Sequence, residues 1–402
     1  MSTPKNKPSQ VGADEAVYIG IDYHKRYSVY HVLDGRGETL GEGRIEHARA
    51  QDFVELAKRW ANPRVVFEAS MNWHWLYEEL EKHMPCEHIT LANPFKTRII
   101  AEAQVKTDKI DARILSLLLR ADLVCAVHIP AKETRERKEV LRQRCFFVGQ
   151  RTRVRNRIHR LLGGQHGLEL PQLSDLFGRQ GMSFLRKLEL PAPAGLLLTQ
   201  QLDLLEELQV RIAEDEKALK AMMNTSPQLR LLLGIPGVGP IFAAVILNEI
   251  DDISRFHTSQ KLCGYCGLCP TTTSSGGKTY NGKLMRHCNK WLRWAFVEAA
   301  WAAIRVNGSL GELYKRKRAA GKKANTAILC VARRLARITW QILTHEREFT
   351  IFPPTQTNQG QPAPGQPASA GSAKGGVSQA GRQTRRAPAK PRQLSPAAPS
   401  TA

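Results

Sequence analysis

Nowhere in this 402-residue chain do eighteen apolar residues run together without a charge, so the sequence offers no transmembrane helix. Residues 1–16, MSTPKNKPSQVGADEA, lack the apolar core of a secretory signal and read as a flexible N-terminus. Cysteine is sparse, eight in all. Without a secretory signal these read as free thiols of a reducing cytoplasm, not as a disulfide framework. Negative charge is also short: 37 acidic residues face 59 Lys and Arg, giving a formal net charge of +22. The expected partner of so basic a cytoplasmic protein is nucleic acid, whose phosphates it can neutralise. Hydrophobic residues still make up 42% of the chain, which excludes wholesale disorder.

Acidic residues are absent altogether from Pro353 to Ala402, where Pro, Gly, Ala, Gln and Ser dominate. Such a composition buries too little apolar surface to offset chain entropy, so residues 351–402 are expected to form a disordered basic tail. Removing its six positive charges (Lys374, Arg382, Arg385, Arg386, Lys390 and Arg392) leaves +16 on the rest. The nucleic-acid expectation therefore does not depend on the tail.

What is present begins at Val17. AVYIGIDYHKRYSVYHVLDGRGETLGEGRI holds apolar, β-branched runs around Asp34-Gly35, a hairpin signal. A helical stretch follows near Ala48–Trp60, then the strand run Val65-Val66-Phe67 and a helix around Asn72–Lys82. A short strand at His88–Leu91 precedes a helical region from Pro94 onward. Strands alternating with helices predict an α/β domain to about residue 130, which a basic helix extends to 165. Ten Lys and Arg face two Glu between 135 and 160. One sign so dominant predicts a phosphate-contacting helix, with Arg151, Arg153, Arg155, Arg157 and Arg160 as contacts.

Residues 166–228 read as a linker and coiled coil. Leu198, Leu205, Ile212 and Leu219 recur every seven residues, with Leu208 and Met222 at d positions and Gln201 and Asp215 interrupting the seam. The stripe fits either a helix of the same chain or a homodimer seam, and the flanking Glu/Lys pairs favour the dimer. Residues 229–350 predict a mainly helical domain with one irregular Gly/Ser/Thr loop at 270–282.

Asp22 follows the strand YIGI, and Glu68 follows VVF. Asp108 and Asp111, three apart in KTDKIDA, share one helical face. Four carboxylates so placed could cage the hard cations that phosphoryl transfer uses, Mg²⁺ or Mn²⁺. The bland alternative is two strand-end acids and a solvated pair.

The order strand-Asp, hairpin, strand-Glu, helix-Asp-x-x-Asp resembles the RuvC/RNase H-like fold. IGIDYHK, VVFEAS, ANPFKTRIIAEAQVKTDKIDARIL and RTRVRNRIHRLL resemble the DEDD transposases of the insertion sequence 110 family. LLLGIPGVGPIFAAVILNEI and FHTSQKLCGYCGLCPTTTSSGGKTYNGKLMRHCNKWLRWAFVEAA are similar to the serine-bearing domain that partners the first. The resemblance implies an enzyme that breaks and rejoins donor and target DNA. It further implies a structured guide RNA, a homo-oligomer (dimer or tetramer) with a composite active site, and a prokaryotic cytosol as the setting.

In that domain the resemblance carries the nucleophile to Ser275, with Ser274 as the fallback. Lys278, Arg286 and Arg293 are candidate phosphate clamps, on charge and position. GIPGVGP at 234–240 resembles a helix-hairpin-helix turn, whose Gly237 and Gly239 would let backbone N–H groups approach a phosphate; a plain Gly-rich connection is the alternative. Cys263, Cys266 and Cys269, with His287 and Cys288 downstream, invite a zinc reading. Cysteines along one apolar helical face, replacing small residues, are the simpler reading. Two other functions compete with the recombinase: a metal-dependent nuclease or junction resolvase using the carboxylates alone, and a nucleic-acid-binding scaffold.

Overall fold

The computed structural model describes residues 15–49, 51–70, 72–100, 107–165, 168–223 and 226–350. The expected tail at 351–402 and nearly all of the expected flexible N-terminus lie outside the described residues.

Strands between Val17 and Ala92 build a five-stranded sheet. Strands β1 (Val17–Tyr23), β2 (Tyr27–Leu33) and β3 (Thr39–Glu46) form an antiparallel meander, while β4 (Pro63–Glu68) and β5 (Ile89–Ala92) run parallel to β1. The strand order is β3-β2-β1-β4-β5. The β2–β3 turn differs from a tight Asp34-Gly35 hairpin. Asp34 Oδ1 accepts hydrogen bonds from the Arg36 and Glu38 amides, and Gly37 takes the positive φ of 92°.

Alternation along the strands gives the sheet two buried faces. Val17, Ile19, Ile21, Val65 and Phe67 pack against helices α1 (Gln51–Lys58) and α2 (Trp73–Glu81) through Phe53, Leu76 and Leu80. After the short helix α3 (Pro94–Ile100), helix α4 (Asp108–Arg120) covers the opposite face, where Leu115 meets Val66 and Ala92. Gly20 lies under α4: a Cβ there would sit 2.2 Å from the Ala112 carbonyl oxygen. A buried hydrogen bond between His31 Nδ1 and Ser116 Oγ, 3.1 Å, pins α4 to β2.

Helix α5 (Lys132–Gly163) has 32 residues, about 48 Å at 1.5 Å per residue. Beyond α6 (Arg179–Lys187) comes α7 (Ala194–Met223), which runs back antiparallel to α5. Val154, Ile158 and Leu162 pack with Leu198, Leu202, Leu205 and Leu208 near one end, and Arg144 bonds Glu216 at 2.6 Å further along. The heptad stripe is thus covered by α5 of the same chain, not by a second protomer's seam. Its inward residue near the C-terminus is Met223, 4% exposed, and Met222 faces outward. Intervals of three and four drift with the 3.6-residue period, which is why a rigid heptad reading misplaces the last turn.

The remaining helices are α8 (Pro227–Leu233), α9 (Pro240–Ile250), α10 (Ser259–Tyr265), α11 (Lys290–Val306), α12 (Gly308–Ala319) and α13 (Ala324–His345). They share a core that includes Leu141 of α5 and Leu219 and Met223 of α7. Between α10 and α11 the expected irregular loop is instead an antiparallel hairpin of β6 (Pro270–Ser275) and β7 (Lys278–Leu284). Among the described residues no helix is long and apolar enough to cross a membrane.

Polar contacts bind the N-terminal α/β region to the helical region. Glu249 of α9 is 6% exposed and faces Asn289 Nδ2 at 2.8 Å, Arg142 Nη2 at 3.4 Å and Lys138 Nζ at 3.5 Å. Asp251 accepts from Thr134 Oγ1 at 2.8 Å and pairs with His128 Nε2 at 2.7 Å. Arg135, itself 7% exposed, reaches Glu78 of α2 at 2.8 Å.

Candidate functional site

Asp22 occupies the penultimate position of β1 and shares Gly20's side of the sheet. That side faces α4, whose first turn carries Asp108 and Asp111 beneath the Thr107 cap. Carboxylates there also suit the positive end of the helix dipole. Glu68 ends β4, one residue beyond the Ile21–Phe67 pair, and so neighbours Asp22 on the adjacent strand. The fold therefore brings Asp22 together with Asp108 and Asp111 of α4, while Glu68 is placed near them only by its register on the adjacent strand.

Two residues that the sequence reading missed belong to the same place. His24 Nε2 lies 3.0 Å from Asp22 Oδ2 and 3.3 Å from Asp108 Oδ2. Tyr27 donates its hydroxyl to Asp108 Oδ2 at 3.0 Å. Asp22 lies near the end of β1, and His24 follows it by two residues in the turn that leads to β2. That spacing was the available signal.

The electrostatics suit a cation. Burial pushes the Asp22 carboxyl above the ordinary carboxylate range; His24 pulls it down, and Asp111 and Asp108 push it up again. Oxygens of Asp22 and Asp108 and a nitrogen of His24 lie within 4.8 Å of one another. The His24 Nε2 atom is buried and faces both of these carboxylates. Mutually repelling carboxylates with a histidine nitrogen set between two of their oxygens fit a divalent metal.

The predicted serine stands elsewhere, on the β6–β7 hairpin. Gly276 and Gly277 take positive φ of 55° and 74°, a two-residue turn of the I′ type, which presents Ser275 opposite Lys278. Both residues are exposed. The Ser274 hydroxyl is engaged by Thr279 Oγ1 at 3.2 Å; among the described residues no such bond engages Ser275.

The predicted phosphate contacts divide. Arg153, Arg157 and Arg160 of α5 are exposed, whereas Arg151 is partly buried and Arg155 lies 4.9 Å from the Phe177 ring. Arg286 is exposed. Arg293 turns inward, donating from Nη2 to the Met285 carbonyl beneath Gly267, so its guanidinium is taken up by structure and not held out as a clamp. Gly237 is likewise structural. At φ 82° it packs against α11, and a Cβ would lie 2.3 Å from the Ala299 carbonyl oxygen. Gly239, with open space around it, caps α9.

The cysteines do not share a helical face. Helix α10 ends at Tyr265, Cys266 is its C-cap, and Gly267 breaks the helix at φ 63°, so Cys269 lies beyond it. Cys263 and Cys266 are buried in the apolar core, and burial pushes both thiols up. Among the described residues no three Cys or His donors converge at these positions.

Comparison with known sequences puts this chain in the class of DNA-processing transposases. The DEDD transposase domain of IS110 elements matches residues 19–166, and the "Transposase IS116/IS110/IS902 family" domain matches 229–315. Together they span more than half of the sequence, and the chain belongs to the IS110 family of insertion-sequence transposases. A "Probable family 20 transposase" of Pseudomonas aeruginosa is 26% identical over 345 residues, covering 82% of this chain and 97% of that protein. The "Insertion element IS110 uncharacterized 43.6 kDa protein" of Streptomyces coelicolor is 24% identical over 395 residues, 84% of this chain and 96% of its own length. The "Transposase for insertion sequence element IS1328" of Yersinia enterocolitica is 24% identical over 346 residues, with 83% and 98% covered.

Proposed function

We propose that this transposase is an RNA-guided recombinase that cuts and rejoins donor and target DNA through Ser275, assisted by Mg²⁺ or Mn²⁺ held in a RuvC/RNase H-like domain. The observation that carries the reading is the convergence of Asp22, Asp108 and Asp111, with Glu68 on the neighbouring strand, in a strongly basic chain. These carboxylates would hold the cation, with Tyr27 fixing the Asp108 oxygen by its hydrogen bond. A bound divalent ion supplies charge stabilisation for phosphorus substitution.

Ser275 is the nucleophile. Its Oγ–phosphorus bond forms as the bond to one sugar oxygen breaks, and the proton lost by Oγ is returned to that oxygen. The phosphoserine ester conserves the energy of the broken phosphodiester, so rejoining needs no nucleotide cofactor. Lys278, across the turn, and the exposed Arg286 would steady the phosphate. Serine and acids stand on separate elements, so a second protomer supplying one of them would complete the centre. The exposed arginines of α5, Arg153, Arg157 and Arg160, would contact RNA or DNA phosphates.

The test is to mix protein, candidate guide RNA, suicide DNA and Mg²⁺, denature, and look for a protein–DNA adduct. Wild type traps DNA; Ser275→Ala and Asp108→Ala trap none while still binding nucleic acid. An adduct abolished by Ser274→Ala and retained by Ser275→Ala moves the nucleophile by one residue. Metal-dependent nicking without any adduct favours the nuclease.

A further inference from the structure

His24 stands in the β1–β2 turn, where its backbone N–H donates to the Tyr27 carbonyl at 3.0 Å. Its ring lies 4.8 Å from the Tyr27 ring, centroid to centroid. The Tyr27 backbone thus holds the His24 backbone, and the Tyr27 ring packs beside the imidazole at a 41° tilt. The same Tyr27 donates to Asp108 Oδ2, so one residue contacts two potential donors. Such outer support is characteristic of metal-ligand sets, whose members must be aimed before the ion arrives.

The spacing also suits direct ligation. Neighbouring corners of an octahedron with bonds of roughly 2.1 Å are about 3 Å apart. His24 Nε2 is 3.0 Å from Asp22 Oδ2 and 3.3 Å from Asp108 Oδ2. An imidazole meant only to neutralise these acids would aim an N–H along one of those lines. Here Nε2 is buried between two carboxylate oxygens at once, at nearly equal distances, and is not committed along either line. With the ring proton on Nδ1, the Nε2 lone pair would be free to face a cation shared with both oxygens.

We infer that His24 is a nitrogen ligand of the cation held by Asp22 and Asp108, and that it biases the site toward Mn²⁺ over Mg²⁺. The inference rests on the metal-site reading proposed above. Its chemistry is ligand preference: Mg²⁺ favours an all-oxygen shell, whereas transition metals accept imidazole readily. Replacing one oxygen corner by nitrogen therefore costs Mg²⁺ affinity and favours Mn²⁺.

The experiment uses the full chain, titrated with Mn²⁺ alone and with Mg²⁺ as competitor, read by electron paramagnetic resonance. Wild-type protein with bound Mn²⁺ should show spin-echo modulation from a directly bound ¹⁴N. In His24→Ala that modulation disappears, and Mn²⁺ binding weakens at least about tenfold while Mg²⁺ binding changes far less. His24→Asn, which offers an oxygen in the same turn, binds Mg²⁺ at least as well as wild type and lacks the nitrogen signal. Circular dichroism checks that both variants fold. Mn²⁺ that binds in an Asp22-dependent way without ¹⁴N modulation overturns the His24 assignment and leaves the acidic site standing. Wild-type and Asp22→Asn proteins that bind Mn²⁺ equally overturn the metal site itself, and the assignment with it.

Discussion

A Cβ on Gly20 would lie 2.2 Å from the carbonyl oxygen of Ala112 and 2.5 Å from the Ser116 amide nitrogen. The backbones of β1 and α4 touch because position 20 has no side chain, and that contact sets Asp108 and Asp111 beside Asp22. Gly20→Ala must push the helix away, since both clashing atoms are backbone. Overpacking of this kind costs about 1–3 kcal/mol or more. We expect Gly20→Ala to lower stability by that amount in urea denaturation and to lose DNA cleavage even where the protein remains folded. Normal stability with full cleavage would show that α4 is not anchored here.

Asp22 gives a pH dependence of definite sign. Its carboxyl titrates above the ordinary 3.8, chiefly through burial, with His24 opposing and the nearby acids reinforcing. The native state therefore holds this proton where the unfolded chain has released it, and stability falls as pH rises from 3.8 through the raised value. Asp22→Asn, measured in EDTA, should be more stable than wild type at pH 7, and the gain should shrink toward pH 3.8. A variant less stable than wild type at both ends would show that the His24 attraction outweighs burial.

Much of this architecture is legible in the sequence, for physical reasons that also explain what is not. Val17, Ile19 and Ile21 alternate because one sheet face is buried on α1 and α2, and that alternation marks the strand. The β6–β7 hairpin escapes the same reading because its strands are almost wholly exposed, leaving Thr and Ser on both faces. The stripe on α7 announces burial but cannot name the covering helix; α5 supplies it. The acids at 22, 68, 108 and 111 could be read from strand ends and an i,i+3 pair. Glu249 could not, because its partners Lys138, Arg142 and Asn289 are brought to it by the tertiary fold.

Glu249 makes the third prediction. Its carboxylate faces three donors in a buried setting, and Lys138 is itself 9% exposed, with burial holding its ammonium below the ordinary range against the pull of Glu249. Removing one member of such a set leaves an uncompensated buried charge, at a cost of about 3–5 kcal/mol. Glu249→Leu should lower stability by that order, and Lys138→Met in the same chain should recover part of it. Urea denaturation of the single and double variants measures both numbers. Additive losses would mean that the two residues are not coupled.

The α5 arginines make the fourth. Exposed Arg153, Arg157 and Arg160 should each contribute to the salt dependence of nucleic-acid binding, by about 0.9 in the log–log slope for every duplex phosphate that one of them neutralises. Reversing all three to Glu should flatten the slope and weaken binding across sequences alike. The partly buried Arg151 and the ring-stacked Arg155 should contribute less to the slope and more to stability. An unchanged slope in the triple variant would remove α5 from the interface.

The hairpin makes the fifth, and it isolates the presentation of Ser275 from the fold. Gly276 and Gly277 both adopt left-handed backbone, which Asn tolerates and a β-branched residue does not. Nothing lies within 4 Å of a Cβ at either glycine, so backbone strain and not collision decides the outcome. Gly276→Asn should keep the I′ turn, and with it covalent trapping of DNA. Gly277→Val carries a strain of about 1–3 kcal/mol, which an exposed two-stranded ribbon escapes by opening or shifting register. A shift of one residue would turn Ser275 to the other face of the ribbon. Because the hairpin contributes almost nothing to the buried core, global stability should stay near wild type while adduct formation collapses. Calorimetry on both variants, alongside the denaturing-gel adduct assay, separates the two effects. Full trapping by Gly277→Val would show that the turn does not govern how the serine is presented.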